Sequence, residues 1–399
     1  MRVLFDRARV ALGVLVCGLV TALPVAASHE PNPNLWVGTS GGSWYDSTGW
    51  LLGVVPGSDQ DAIINTGLVQ MQGGPGSAVV YTLTVGNLPD ARGAGLGIGQ
   101  GRLSLYLGGL VVGREGGSSG IVTIGNGGSL FAFHAPVVIG KGGTGTFVVS
   151  RGGDLLLGDA SVLGEQAGSN GSLFIQGGSV GRSVPGALAF DVADAGRATL
   201  ALSDGGVLGL GHGGKLYVGR HGGLADVTLT GGSLLMSDRF EVLSASNLAL
   251  TQTSQLVTQS LATGPGRWLL ASGGKLAADV ATLADTTQLT FEVGAAGAGL
   301  FEAGAVTLDG MLALTFEDGF APTAGVRFTL LSWGQHSGSF DKLVLPTLAK
   351  GLAWDSSRLY VDGSLAIAAV VPEAPTAWLA LAGLALLQSR WRSRPKARI

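Results

Sequence analysis

The strongest constraint on the fold is a repeat that runs between residues 83 and 235. Its first marker is a hydrophobic pair closed by glycine, and the steps between these glycines are 27, 27, 24 and 55 residues. The last step spans two units with one degenerate copy, near Phe190 to Ala193. A double glycine that closes an alternating run steps by 25, 25, 28 and 26 residues. The closing glycines of the first marker are Gly86, Gly113, Gly140, Gly164 and Gly219.

This period predicts an all-β solenoid. A unit of this length is too short for a propeller blade, and a 3.6-residue hydrophobic pattern is missing. Short β-branched runs between glycines fit about three strands per coil, stacked about 4.8 Å apart. Glycine suits the turns because it adopts positive φ at low cost. We therefore expect a single-stranded, right-handed parallel β-helix with coils of about 25–27 residues. If residues 33–365 all join it, about 13 coils make a rod about 60 Å long.

Composition limits the classes of partner. The chain has 399 residues, of which 46% are hydrophobic and only 13% charged, so a packed interior rather than charge pairing must hold it together. Without residues 1–28 and 390–399 it keeps 16 basic and 26 acidic residues, a net charge of −10. An acidic body with no basic stripe argues against nucleic acid as a partner.

The first residues have the pattern of a secretory signal peptide. Arg2, Arg7 and Arg9 precede an apolar centre at residues 10–20, and small residues follow at 25–27. We expect the Sec translocon to export the chain and signal peptidase to cut it after Ala27 or Ser28. The chain has one cysteine, at position 17 inside the signal, so the mature protein has no thiol for a disulfide or a metal.

Three tryptophans stand before the repeat, at Trp36, Trp44 and Trp50. They allow two interpretations: a platform on which a glycan stacks, or packing over the first coil, which is the commoner fate of such aromatics. With Pro56 and two aspartates they resemble the opening coil of autotransporter-like β-solenoids. The aspartates of this pattern are Asp59 and Asp61.

The region after residue 236 predicts irregular coils and then a closing module. Residues 306–367 resemble the module that ends bacterial surface β-solenoids. The residues that carry this resemblance are Gly310, Leu312, Gly319, Pro322, Gly325, Phe328, Gly338, Phe340, Leu345, Pro346 and Trp354. The predicted organisation is a signal peptide at 1–28, capping coils at 29–82, regular repeats at 83–236, irregular coils at 237–305, the closing module at 306–367 and a C-terminal sorting signal at 371–399.

The C-terminus combines a Pro-Glu element, an apolar run and a basic tail. Residues 374–389 carry no charge and as a helix span about 24 Å, less than the roughly 30 Å hydrocarbon core. We expect a short transmembrane helix with its basic end in the cytoplasm. The basic tail contains Arg390, Arg392, Arg394, Lys396 and Arg398.

This ending resembles the PEP-CTERM sorting signal of Gram-negative bacteria. Pro372 and Glu373 match its first two positions, Ala374 replaces the second proline, and Pro375 follows. The resemblance implies recognition by an exosortase, a transient hold on the inner membrane, and a final place at the cell surface or outside the cell. It also implies association with the exopolysaccharide of a biofilm matrix.

The sequence motifs that could indicate catalysis, phosphate binding or metal binding are all incomplete. GLGHGGKL at 209–216 lacks the Ser or Thr of a P-loop at Leu216, and a repeat strand follows instead of a helix. Gly-His-Gly around His212 is a feature of β-helical pectin hydrolases, but the coils before it show no paired aspartates. The histidines have no zinc-ligand spacing, and GGDLLLGD lacks the order of a calcium nonapeptide. A calcium site of scattered oxygens stays open. We expect no catalytic residues, cofactor or motif-based metal site.

These observations predict a non-catalytic, exported cell-surface or extracellular-matrix protein. One alternative is a polysaccharide-binding adhesin, with Trp36, Trp44 and Trp50 as glycan contacts. Another is a β-helical polysaccharide lyase or hydrolase, which would require a cluster of carboxylates on one face of the coils.

Overall fold

The structure is a computed structural model that describes residues 30–38, 40–72, 76–91, 93–158, 160–183, 188–370, 384–386 and 388. The chain divides into two compact units, Met1–Asn32 and Pro33–Ile399. In the first unit the described residues, 30–32, belong to no helix or strand. The second unit is a mostly parallel β-solenoid.

Short strands make up nearly all of the regular structure in the described part of the chain. The first are β1 (Pro33–Leu35), β2 (Gly42–Ser43), β3 (Asp61–Ile64), β4 (Leu68–Met71), β5 (Ser77–Val85), β6 (Ala94–Ile98) and β7 (Gly101–Val112), with a 3-10 helix at Ser47–Gly49. The next are β8 (Ser119–Ile124), β9 (Gly128–Ala132), β10 (Val137–Ile139), β11 (Thr144–Ser150), β12 (Asp154–Leu157), β13 (Ser161–Leu163), β14 (Asn170–Gln176), β15 (Ser179–Arg182), β16 (Ala189–Val192), β17 (Arg197–Ser203), β18 (Val207–Gly209), β19 (Lys215–Val218), β20 (Leu224–Leu229) and β21 (Leu234–Val242). The last are β22 (Asn247–Leu250), β23 (Gln255–Ala262), β24 (Gly266–Leu270), β25 (Lys275–Thr282), β26 (Thr287–Gly294), β27 (Gly297–Ala298), β28 (Leu300–Leu308), β29 (Met311–Phe316), β30 (Arg327–Thr329), β31 (Leu331–Gly338), β32 (Lys342–Val344), β33 (Leu352–Asp355), the helix α1 (Leu359–Asp362) and β34 (Ser364–Ala369).

Each coil has three faces, as the sequence predicts. In one coil β8 lies on face 1, β9 on face 2 and β10 on face 3, and each pairs in parallel with its equivalents one coil away. Long strands such as β7 turn the corner between faces 2 and 3, pairing with β9 through one half and β10 through the other. Faces 2 and 3 therefore belong to one sheet and face 1 to another.

The stacking register places like side chains in columns. On face 1, Phe147 pairs with Leu173, and Leu173 with Leu200, all of them buried. The intervening residues, such as Thr146 and Ser172, point outward. Burying each large apolar side chain is worth about 1.5–3 kcal/mol, so these inner columns stabilise the stack.

The repeated glycines form a corner between face 3 and face 1. Gly86, Gly113, Gly140, Gly164 and Gly219 all have φ between 62° and 75°. The degenerate repeat near residue 190 has Ala193 at this corner, with φ 58°. The turn is therefore kept there although the glycine is not, which explains why the sequence marker fails at that copy.

The number of coils is smaller than the 13 expected if residues 33–365 all joined the solenoid. The described residues form 11 complete coils, from β4 and β5 to β29 and β31. Residues 33–64 form an incomplete coil that has no strand on face 2 in the described part. After β32 the chain leaves the stack, because β33 and β34 pair antiparallel in a separate small sheet. The third strand of this sheet, β30, comes from the segment between β29 and β31.

Coil length changes along the stack. Asp154 lies 25 residues before Ser179, its hydrogen-bonded neighbour in the next coil. Further along, Ser237 and Thr258 occupy equivalent positions only 21 residues apart. The shortening occurs where β21, β23 and β25 run through the corner between faces 2 and 3 without a loop.

The small antiparallel sheet and α1 pack at the C-terminal end of the solenoid. Leu359 of α1 is buried, and the Tyr360 hydroxyl accepts a hydrogen bond from the Phe340 amide at 3.1 Å. The Trp354 indole donates to the Pro346 carbonyl at 2.9 Å. These contacts continue the hydrophobic core beyond the last strands of the coils.

Within the described residues, no helix has both the length and the apolar character needed to cross a bilayer. Most of the predicted transmembrane segment and of the sorting signal lies outside the described residues.

Candidate functional site

The three tryptophans at the start of the solenoid are buried, so their rings are not available for a sugar to stack on. This corrects the interpretation of Trp36, Trp44 and Trp50 as glycan contacts. Trp50 packs edge-on against both of the others, with ring centroids 5.3 Å from Trp36 and 5.0 Å from Trp44. Its indole donates to the Trp44 carbonyl at 2.9 Å.

This tryptophan cluster covers the first edge of the solenoid. Trp36 and Trp50 form an antiparallel bridge, and the Leu51 amide donates to the Leu35 carbonyl at 2.8 Å. A Cβ on Gly49 would lie 2.3 Å from the Trp36 ring, so glycine lets the backbone pass close to it. The segment thereby satisfies backbone groups of β1 that would otherwise form an open strand edge.

A different set of aromatic side chains reaches the surface at the corner between faces 2 and 3, with Tyr106 exposed and Phe131 and Phe133 partly buried. In β7 the pairing with β5 is interrupted between Leu105 and Gly109, so that residues 106–108 bulge outward. Tyr106 is 56% exposed and Leu107 is 55% exposed, and Leu107 has φ 129°. A bulge of this kind changes the direction of a side chain, and a non-glycine residue in this conformation is strained.

The next coil adds two rings beside Tyr106. The Phe133 centroid lies 5.7 Å from that of Tyr106 and 5.8 Å from that of Phe131. The guanidinium carbon of Arg102 lies 4.2 Å from the centre of the Phe131 ring. We call Arg102, Tyr106, Phe131 and Phe133 the aromatic corner.

A second surface group combines opposite charges on neighbouring coils. Arg220 Nη2 lies 2.8 Å from Asp191 Oδ1, and the Arg220 guanidinium carbon is 4.0 Å from the centre of the Tyr217 ring. His221 Nδ1 lies 2.6 Å from Asp194 Oδ1. We call these five residues the charged ladder. They bring together the two carboxylates that a lyase or hydrolase hypothesis requires, but each carboxylate already contacts a basic side chain.

Burial raises the pKa of Asp191, which is 6% exposed. The positive charge of Arg220 opposes this shift, Asp194 adds to it, and His221 opposes it more weakly. The folded chain therefore holds a proton at Asp191 at pH values where the unfolded chain, with a pKa of about 3.9, has released it.

We expect the Asp191 carboxyl to make the fold less stable as pH rises. Its contribution to the free energy of unfolding is full below the unfolded pKa and is lost as pH rises through the folded pKa. Urea unfolding of the wild type and of Asp191→Asn between pH 3 and pH 7 measures this contribution. The difference, wild type minus variant, should fall with pH.

Asp46 provides a control of opposite sign. The side-chain and backbone hydrogen bonds from Thr48 lower the pKa of this exposed carboxyl. Its contribution is present above the unfolded pKa, so the difference between wild type and Asp46→Asn should rise with pH. A rising difference for Asp191→Asn as well would contradict the burial of a protonated carboxyl.

The GLGHGGKL segment is a turn between β18 and β19, without a following helix. Asp238 of the next coil accepts a hydrogen bond from the Gly213 amide, and its carboxylate lies 3.2 Å from His212 Nδ1. Arg182 of the previous coil donates to the carbonyls of Leu210 and His212. These contacts hold the turn around His212 between its neighbouring coils. Among the described residues, no group of three or more His, Cys, Asp or Glu is placed to hold a metal.

Sequence reasoning missed the aromatic corner, although part of its signal is visible. In SLFAFH at 129–134, Phe131 and Phe133 alternate with the buried Leu130 and Ala132, which places both rings on the outer face. The bulge at Tyr106 has no such signal. The predicted signal-cleavage and sorting residues lie outside the described residues. They are Ala27, Ser28, Pro372, Glu373, Pro375, Arg390, Arg392 and Arg394.

Comparison with known proteins found no family model that matches this chain and no significant match among curated proteins.

Proposed function

We propose that this chain is a non-catalytic, exported protein of the cell surface or extracellular matrix, associated with exopolysaccharide in a biofilm. The observation that carries the proposal is the continuous stack of 11 complete coils in the described residues, filled by buried hydrophobic columns. Because side chains fill the interior, we expect the function to reside on the outer faces of the coils. A repeated scaffold of this kind presents many surface positions along one direction.

The two ends of the sequence support the proposed route. A signal peptide delivers the chain to the Sec translocon, and a PEP-CTERM-like ending is read by an exosortase at the inner membrane. We also propose that the coils wind right-handed, that signal peptidase cuts after Ala27 or Ser28, and that a short transmembrane helix holds the C-terminus in the inner membrane. An acidic body suits a protein that must stay soluble after release.

The mass of the protein recovered from a Gram-negative host tests this route. We expect loss of the residues up to Ala27 or Ser28, loss of the residues after about position 372, and recovery from the surface or medium. Replacing Arg390, Arg392 and Arg394 by Gln should leave unprocessed chain in the inner-membrane fraction. Arg267→Gln, an exposed change on the solenoid, is the control and should be sorted normally. A full-length chain in the cytoplasm would refute the proposal.

A polysaccharide-binding adhesin is the second candidate. The observation that favours it is the aromatic corner, because its rings are on the surface whereas the tryptophans are buried. An enzyme acting on polysaccharides would instead use the carboxylates of the charged ladder, both of which contact basic side chains.

A further inference from the structure

We propose that the aromatic corner is a binding site for a neutral polysaccharide whose sugar rings present apolar C–H faces. The site lies between two neighbouring coils, with Tyr106 on one and Phe131 and Phe133 on the next. The inference adds a class of ligand to the proposed function. It rests on that function only for the place at which the protein meets the polysaccharide. Binding itself depends on the residues of the corner.

The exposed end of the ring stack suits a flat ligand. Phe131 and Phe133 are stacked with their planes inclined by 26°, and Tyr106 is tilted by 38° from Phe133, so the three rings form one aromatic stack rather than an edge-to-face cluster. Tyr106 is its most exposed ring, and we call this stack the platform. In contrast, the buried tryptophans meet at 79° and 71°, as packed aromatics commonly do. The platform offers apolar area without the enclosure that a core cluster has.

Polar groups lie beside Tyr106. The Arg102 guanidinium lies over the face of the Phe131 ring and presents donors that suit sugar hydroxyls. Tyr106 combines an apolar ring with a hydroxyl that both donates and accepts. A sugar has the matching chemistry, because its C–H faces are apolar and its rim carries hydroxyl groups.

Two strained residues stand beside these rings. Leu107 has φ 129° and His134 has φ 47°, and they lie at the same corner of successive coils. Each such conformation costs about 1–3 kcal/mol and persists only where the surrounding structure enforces it. The strain exposes Tyr106 and Leu107 instead of turning them into the core, which is the expected arrangement for a contact surface.

Size and charge decide between partners. A stable protein interface needs about 800 Å² and 20–30 residues on each side, far more than four side chains provide. Nucleic acid requires a basic patch, and the corner has one arginine on an acidic body. The net charge of −10 on residues 29–389 also disfavours polyuronates, so the platform fits a neutral polysaccharide best.

Titration of the purified full-length chain with cellohexaose, a neutral β-glucan fragment, tests the site by calorimetry. We expect Tyr106→Ala and Phe133→Ala each to weaken binding about two- to tenfold, since an aromatic contact contributes about 0.5–1.5 kcal/mol beyond its buried area. The Tyr106 ring is mostly exposed, so this variant should keep the wild-type melting temperature.

The charged ladder supplies a matched control. Tyr217 also lies under an arginine, at 4.0 Å, but has no neighbouring ring within the described contacts. Tyr217→Ala should therefore bind cellohexaose as the wild type does. An equal loss in Tyr217→Ala, or no binding by the wild type, would overturn the inference.

Two further outcomes would assign the corner to another partner. Binding of polygalacturonate alone would contradict a neutral ligand. Self-association in sedimentation that Tyr106→Ala abolishes would make the corner an interface between copies of the chain. Fractionation of cells is a separate measurement: a surface-located chain that binds no neutral polysaccharide refutes only this inference, whereas a cytoplasmic chain refutes the proposed function.

Discussion

Gly140→Ala is expected to lower the free energy of unfolding by about 3 kcal/mol or more. The residue has φ 73°, where a non-glycine residue costs about 1–2 kcal/mol. A Cβ there would also lie 2.3 Å from the Asn170 carbonyl oxygen and 2.7 Å from the Gly171 amide nitrogen. Both atoms are backbone of the next coil, so relief requires the two coils to separate locally.

Ala193→Gly is the matched control for this prediction. Ala193 occupies the same corner with φ 58° and is buried. Its replacement relieves the strain of positive φ, but it adds about 0.5–1 kcal/mol of chain entropy and removes a buried methyl group worth about 0.8 kcal/mol. Urea unfolding should place this variant within about 1 kcal/mol of the wild type. A Gly140→Ala variant of equal stability would show that the corner does not depend on glycine.

Trp44→Ala is expected to lower the free energy of unfolding by about 3–5 kcal/mol, the usual cost of removing a buried Trp. The Trp44 side chain is fully buried and packs edge-on against Trp50, which in turn covers the edge of β1. Loss of the ring leaves a cavity at the place where the first strands must be kept from pairing with other chains.

Leu51→Ala is the control in the same segment, because Leu51 is 59% exposed. Its effect should stay within about 0.5 kcal/mol, as for most surface substitutions. Thermal unfolding with concentration-dependent light scattering measures both stability and edge protection. If Trp44→Ala kept its stability and lost only glycan binding, the packing role of the tryptophan cluster would be wrong.

The glycine markers predicted the parallel β-solenoid and its three strands per coil because each glycine reflects the backbone conformation at its own position. A turn with positive φ favours glycine, so the period of Gly86, Gly113 and Gly140 reports the period of the backbone. The copy at Ala193 was hidden because a single alanine tolerates the same φ at a modest cost. The number of coils was overestimated because the sequence does not show that the chain leaves the stack after β32.

The surface groups were harder to find from sequence because their members belong to different coils. Asp194 and His221 are 27 residues apart, one coil length, so a search at the repeat spacing would have paired them. The aromatic corner depends in addition on the bulge at Tyr106, which is a backbone event without a residue-type signal. The burial of the tryptophans was one of two interpretations, and the choice between them required the exposure of all three rings in the folded chain.

The uneven width of the strand ladders has a consequence for mechanical force. On face 1, β11 and β14 share seven paired positions, whereas β2 and β4 share two. Each coil contacts chiefly its neighbours, so a pull along the stacking direction acts on one junction after another. We expect the N-terminal junction to part at a lower force than the middle ones. A chain anchored through its C-terminus and pulled from its other end would then lengthen by releasing end coils, while the central coils keep their surface intact.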